Sequence, residues 1–266
     1  PRAVPKATLQ IGDPDQLAKT CGLPVASHFR QGDLAVGGEG APLTPAVNQM
    51  LFARPKKTIG LLNLGGIANL TLIPPRGGRG RVQGTDCGPA NMLLDAAFRH
   101  FQHRPYDRSG SVALQGHADA KLLAALKRHP WFIRSLPASC GREEFGESLL
   151  VHHTRSRLIS LPDLLATLCK FTGWSVARAV SSLGLKPDAI YVAGGGVHNR
   201  RLVAELAAAL DPVPIENIAA LGVDPDTLEA VSFALLGYLC VRGQALELRG
   251  ATGSRRPAIL GRLSRP

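Results

Sequence analysis

A single acid stands among small residues in Val82-Gln-Gly-Thr-Asp-Cys-Gly-Pro-Ala-Asn91, just ahead of a helix expected to start at Pro89. An aspartate at the end of a strand can act as a general base toward a hydroxyl or a water. It can equally cap the coming helix, and Pro89 suits a first helical position. The stretch before it, Thr58-Ile-Gly-Leu-Leu-Asn-Leu-Gly-Gly-Ile-Ala-Asn-Leu-Thr-Leu-Ile73, is apolar, breaks at Gly65-Gly66 and resumes. That pattern writes a β-hairpin with a tight glycine turn. Backbone amides at glycine turns and helix N-termini attract phosphate. An acid beside them points to phosphoryl transfer or hydrolysis.

A second glycine run, Gly194-Gly195-Gly196, closes one predicted strand and opens a helix from Asn199. Two such loops can hold the two ends of a nucleotide, and Asn63, Asn69 and Asn199 flank them; each loop can also be a plain structural turn. The spacing fits neither GxGxxG nor GxxxxGK[ST], so a dinucleotide fold and a P-loop are not supported. Arg30 and Asp33 in Phe29-Arg-Gln-Gly-Asp33 read either as site residues or as a surface ion pair of little worth. Glu229 reads either as a ligand or as an acid favoured by the first turn of a helix.

These residues need elements to carry them. The hairpin spans about 58–63 and 68–73, followed by a strand near 81–85 and a helix at about 89–103. Leu161, Leu164, Leu165, Leu168, Phe171, Val176 and Val180 share one face of a helix over about 161–182. A buried strand at Asp188–Ala193, a helix from Asn199 to about Leu210 and a last helix from about Asp224 to Val241 follow. The order is α/β with a mixed sheet. Residues 1–56 are Gly/Pro-rich and weakly periodic; they read as the end of a domain whose beginning is absent, and Pro1-Arg2-Ala3-Val4-Pro5 carries neither a methionine nor a hydrophobic signal core.

Composition narrows the classes. The chain has 266 residues, 45% hydrophobic, with mean hydropathy near zero, enough for one or two packed domains. No apolar run approaches the roughly 20 residues that span a bilayer. The net charge is +11, but the cations are spread along the chain and aromatics are 5%, too few for base-stacking platforms. The densest run, Arg76-Gly-Gly-Arg-Gly-Arg81, reads as a solvated loop. Nucleic acid is therefore not the expected partner; an anionic substrate such as ATP is. Five scattered cysteines without a CxxC pair read as free thiols in a reducing cytoplasm. His100, His103, His152 and His153 have no thiolate or carboxylate at ligand spacing, so no protein-held metal is expected.

Taken in order, Thr8–Pro14, Phe29–Asp33, Gly37-Gly-Glu-Gly-Ala-Pro-Leu43, Asn63–Thr71, Asp86–Asn91, Phe171-Thr172, Gly194–Asn199 and Glu229-Ala230 resemble the anhydro-N-acetylmuramic acid kinases, in the actin/Hsp70/sugar-kinase superfamily. The resemblance implies a ribonuclease-H-like mixed sheet flanked by helices. It implies a second lobe over 57–244 and pieces of a first lobe at 1–56 and 245–266. It also implies ATP and Mg2+ and a cytoplasmic role in peptidoglycan recycling, with no membrane partner, and allows a homodimer. Members phosphorylate 1,6-anhydro-N-acetylmuramic acid while water opens its anhydro bridge. Asp86 would be the base; Arg30, Asp33 and Glu229 would bind sugar. Asn63, Gly65, Gly66, Asn69, Gly88, Gly194, Gly195, Gly196 and Asn199 would bind nucleotide. The family's N-terminal Gly-Thr-Ser-x-Asp-Gly loop is not in this sequence, Asp86-Cys-Gly-Pro-Ala-Asn91 replaces Asp-Thr-Gly-Pro-Gly-Asn, and Pro137-Ala-Ser-Cys-Gly-Arg-Glu143 lacks a lysine. These departures imply slow turnover, if any, by this stretch alone, and keep open a non-catalytic sugar- or nucleotide-binding member.

Overall fold

The computed structural model describes residues 7–78, 80–154 and 158–266; the opening Pro1–Pro5 and Arg79 of the basic run lie outside the described residues. In chain order the elements are α1 (Pro14–Cys21), β1 (Val25–Ser27), α2 (Phe29–Ala35), α3 (Thr44–Phe52), β2 (Ile59–Leu64), β3 (Ile67–Ile73) and β4 (Gln83–Pro89). Then come α4 (Asn91–Gln102), α5 (Ala120–Lys127), α6 (Arg142–Phe145), α7 (Glu147–Thr154), α8 (Leu161–Leu183), β5 (Ala189–Ala193), α9 (Arg200–Leu210), β6 (Ile215–Asn217), α10 (Leu228–Val241), α11 (Arg249–Thr252) and β7 (Arg262–Ser264).

Five strands form the main sheet in the order β4-β3-β2-β5-β6. β3 runs antiparallel to both β2 and β4, whereas β5 pairs parallel with β2 and β6 parallel with β5. One reversed strand in an otherwise parallel sheet of this order is the ribonuclease-H-like arrangement. The expected hairpin is β2–β3, and the expected long helix is α8, with Ser160 capping it and Gly184 ending it in the left-handed region. β6 was not expected: its three residues are too short to show a period.

Alternation along β2 and β3 decides which side chains face where. Leu62, Leu64, Ala68, Leu70 and Leu72 enter the main core, built with α4, α8 and α9. Ile59, Leu61 and Ile73 enter a second cluster with Phe52, Ile218 and Leu228 on the opposite face. Asn63, Asn69 and Thr71 share the parity of that opposite face. Apolar strands on both faces fit a sheet covered by helices on both sides.

The segments that looked unable to bury anything do so jointly. Leu43, Ala46 and Val47 pack with Leu236 and Leu239 of α10 and with Leu246, Leu248, Ala251 and Leu260 in a smaller core. β1 pairs antiparallel with β7, joining Val25–Ser27 to Arg262–Ser264. The weak periodicity of 7–56 reflects short helices, several of whose partners lie near the other end of the chain.

Candidate active site

The pairing of β3 with β4 slips by one residue between Ala68 and Asn69, so Ala68 faces Gly88 but Asn69 faces Asp86. The extra residue of this bulge is Cys87. Cys87 turns into the main core, and Asp86 turns to the side of Asn63, Asn69 and Thr71. Gly88 sits at the bulge with φ 134°, where an added Cβ would stand 3.2 Å from the Phe132 ring. Its glycine is required by that conformation and by the close aromatic.

Asp86 caps no helix. α4 begins at Asn91, two residues later than expected, with Ala90 at its N-cap and no side-chain cap. The Asp86 Oδ1 accepts from Asn69 Nδ2 at 2.8 Å and its Oδ2 from the Cys140 amide at 2.9 Å. That amide arrives on the segment 137–141, which lies against β4 through Asp86 N to Ala138 O at 3.0 Å and Ala138 N to Thr85 Oγ1 at 3.0 Å. Burial raises the pKa of Asp86 above its ordinary value; the Asn69 and Cys140 hydrogen bonds and the Arg30 charge oppose this, and the Glu144 charge adds to it. The neighbouring Cys140 thiol is held protonated, chiefly by burial and then by the Asp86 charge.

Asp86 lies in a cleft of about 500 Å3 that is also lined by Arg30, Glu229, Asn63 and Asn69. The structure therefore brings together residues up to two hundred positions apart in sequence. Arg30 is fixed by Nη1 to the Gly40 carbonyl at 3.0 Å, and Glu229 occupies the first turn of α10. Asp33 does not line the cleft. It is buried, accepting from Gly40 N at 2.8 Å and from Thr252 Oγ1 at 2.6 Å, which shapes the loop that carries Arg30's partner. No Arg30–Asp33 ion pair forms among the described residues; both side chains hold Gly40 instead. Sequence reasoning passed over Glu39, Ser139 and Cys140, which line the cleft from two of the quoted motifs. It also passed over Asn48 and Ser232, whose side chains are 3.2 Å apart across α3 and α10. Asn48 and Ser232 are polar residues on largely apolar helices, and no local signal marks them.

The glycine turn is arranged differently from the expected phosphate cradle. The carbonyls of Gly65 and Gly66 accept from the amides of Asn91 and of Ala90 and Met92, and Asn91 Nδ2 donates to Leu64 O at 2.9 Å. The leading amides of α4 are thus taken up by the hairpin. Neither Gly65 nor Gly66 has a positive φ, and the nearest atoms to an added Cβ stand 3.7 Å away at both. The chain itself gives no steric reason for glycine there, which leaves room for close approach of a ligand. Gly194, by contrast, has φ 79° and its added Cβ would collide with the Asn63 side chain. Gly196 packs against Leu64, and Asn199 caps α9 through Oδ1 to Leu202 N at 3.0 Å. Beyond this saddle of two glycine loops lies a second cavity of about 480 Å3, lined by Asn91, Asp95, Tyr106, Gly195, His198 and Asn199 among others.

A ribonuclease-H-like sheet with one desolvated acid in a polar cleft, and a glycine saddle leading to a second cavity, defines a phosphotransferase-type α/β protein. Comparison with known proteins is specific. Residues 1–265 match the family model described as anhydro-N-acetylmuramic acid kinase. The chain is 42% identical over 261 residues to the anhydro-N-acetylmuramic acid kinase of Xanthomonas oryzae pv. oryzae, covering 98% of this chain and 68% of the relative. It is 38% identical over 262 residues to that of Idiomarina loihiensis, covering 98% and 70%, so it spans about two thirds of such relatives. Among solved structures it is similar to the activator of 2-hydroxyisocaproyl-CoA dehydratase from Clostridium difficile with bound ADPNP (16% identity, TM-score 0.45, 73% of this chain and 64% of that one). A ligand-bound xylulose kinase from Lactobacillus acidophilus is also similar (15% identity, TM-score 0.40, 84% and 45%). The fold assignment rests on the strand order rather than on these distant likenesses. The chain belongs to the anhydro-N-acetylmuramic acid kinase family; it is a kinase, an ATP-using enzyme of carbohydrate metabolism. Among the described residues no helix is long and apolar enough to cross a membrane.

Proposed function

We propose that the protein converts 1,6-anhydro-N-acetylmuramic acid, ATP and water to N-acetylmuramic acid 6-phosphate and ADP, with Asp86 as the base. The observation that carries this reading is the desolvated Asp86 carboxylate, held by Asn69 and the Cys140 amide in one cleft with Arg30 and Glu229. Asp86 takes a proton from water as its oxygen bonds to the anomeric carbon. The bond from that carbon to the bridging oxygen breaks, and the freed 6-oxygen takes the γ-phosphoryl as its bond to ADP breaks. The proton on Asp86 then passes to solvent. A base with a raised pKa is better matched to this work near neutral pH than an ordinary aspartate.

Arg30 and Glu229 orient the sugar, with Asp33 acting through the Gly40 loop. The sugar occupies the first cleft, the phosphates cross the saddle of Gly65, Gly66 and Gly194–Gly196, and the nucleoside enters the second cavity beside Asn199. Mg2+ would arrive on the nucleotide phosphates, since among the described residues no group of three or more His, Cys, Asp or Glu side chains could hold a metal ion. When bound it would screen the phosphate charge. Residues 57–244 form the catalytic lobe in this reading, and 1–56 with 245–266, sharing the smaller core and the β1–β7 pair, belong to the other lobe. The test is ADP release with the anhydro sugar and identification of the 6-phosphate by mass spectrometry. ADP released equally without the sugar would defeat the reading.

A further inference from the structure

Asp95 lies on α4 four residues beyond Asn91, on the same face of the helix, and both side chains line the second cavity. It is half-buried and, among the described residues, receives no hydrogen bond. Burial raises its pKa, and the Arg99 charge one turn further along offsets this only in part. A half-buried carboxylate in a cavity wall with no protein donor has its acceptor sites free for a ligand's hydroxyls. Asp107 in the same wall differs: it accepts from Ser111 Oγ, Val112 N and Ala113 N, and holds its own loop.

Position along the cavity says which donor would meet Asp95. Asn91 is tied to Leu64 O at the glycine hairpin, where the nucleotide phosphates cross. Four helical residues further is about 6 Å along α4, roughly one turn away from the hairpin. In a nucleotide the group next to the phosphates is the ribose; the base lies further out.

We infer that the Asp95 carboxylate accepts hydrogen bonds from the ribose 2′- and 3′-hydroxyls of the bound nucleotide, and so selects ribonucleotides. This rests on the nucleotide reading of the second cavity given above. Hydrogen bonds to a charged acceptor are the stronger kind.

The test is titration calorimetry of ADP, 2′-deoxy-ADP and 3′-deoxy-ADP into the wild-type protein, Asp95→Ala and Asp95→Asn. The wild type is expected to bind ADP about tenfold or more tighter than either deoxy form. Asp95→Ala should bind the three alike. Asp95→Asn keeps one acceptor and should retain part of the preference; it decides the matter if Asp95→Ala fails to fold. An ADP preference unchanged by substitution, or absent in the wild type although ADP binds, overturns the role of Asp95 and leaves the kinase reading standing. If no nucleotide binds at all, the nucleotide reading of the second cavity fails and this inference with it.

Discussion

Thr252 donates its hydroxyl to Asp33 at 2.6 Å across 219 residues of sequence, and Asp33 returns through Gly40 to the loop that fixes Arg30. The C-terminal segment thereby sets the position of a cleft residue it does not touch. Thr252→Val leaves one carboxylate oxygen of a buried acid unpaired. The expected cost is about 1–3 kcal/mol, read as a lower melting temperature, with a rise in KM for the sugar. A melting temperature equal to wild type would show that the pair is idle.

Asp86→Asn keeps the shape of the side chain and removes the base. General-base loss costs about 100- to 10,000-fold in kcat, measured as ADP release in the presence of the anhydro sugar, while circular dichroism stays native. Activity within a few-fold of wild type would take the base role from Asp86.

The raised pKa of Asp86 gives a pH signature. The active form is the carboxylate, so kcat/KM should fall on acidification along a limb lying above the ordinary 3.8 of aspartate. Removing the Arg30 charge, which opposes the shift, should move that limb to higher pH. Stability runs the other way. The folded state favours the protonated acid, so the stabilising contribution of Asp86 is full below the unfolded value and is lost as pH rises through the folded one. Asp86→Asn should therefore flatten the pH dependence of the unfolding midpoint in this range.

The two glycine loops separate steric need from ligand need. Gly194→Ala forces a left-handed φ on a residue whose Cβ meets Asn63 and Leu64, and should cost about 1–3 kcal/mol in urea unfolding. Gly65→Ala meets nothing closer than 3.7 Å, so its midpoint should stay within about 1 kcal/mol while nucleotide affinity drops. Equal affinity in Gly65→Ala would remove the hairpin tip from the nucleotide path.

Much of this was legible in sequence where a local period or turn carried it. β2, β3, α8 and β5 are long or strongly patterned, and their positions follow from alternation and helical spacing. The ends of β4 and α4 were not, because the bulge at Ala68/Asn69 and the tie from Gly65 and Gly66 to α4 are pairings between segments. Asp86, Arg30 and Glu229 could be singled out by residue type and motif; their convergence in one cleft depends on the sheet. Asp33 shows the limit most plainly. A charged residue beside an arginine reads as surface, and only the fold reveals that its partner is a threonine near the other end of the chain.

The slip between β3 and β4 leaves one residue of β4, Cys87, outside the pairing. Deleting Cys87 alone, the loss of a single codon, would leave Asp86 opposite Asn69 and Gly88 opposite Ala68 and make the pairing even. The damage would fall on the core that Cys87 enters and on the bulge conformation of Gly88, not on the face that carries Asp86. A deletion within 83–85, where every residue is paired, would instead turn part of β4 to the opposite face.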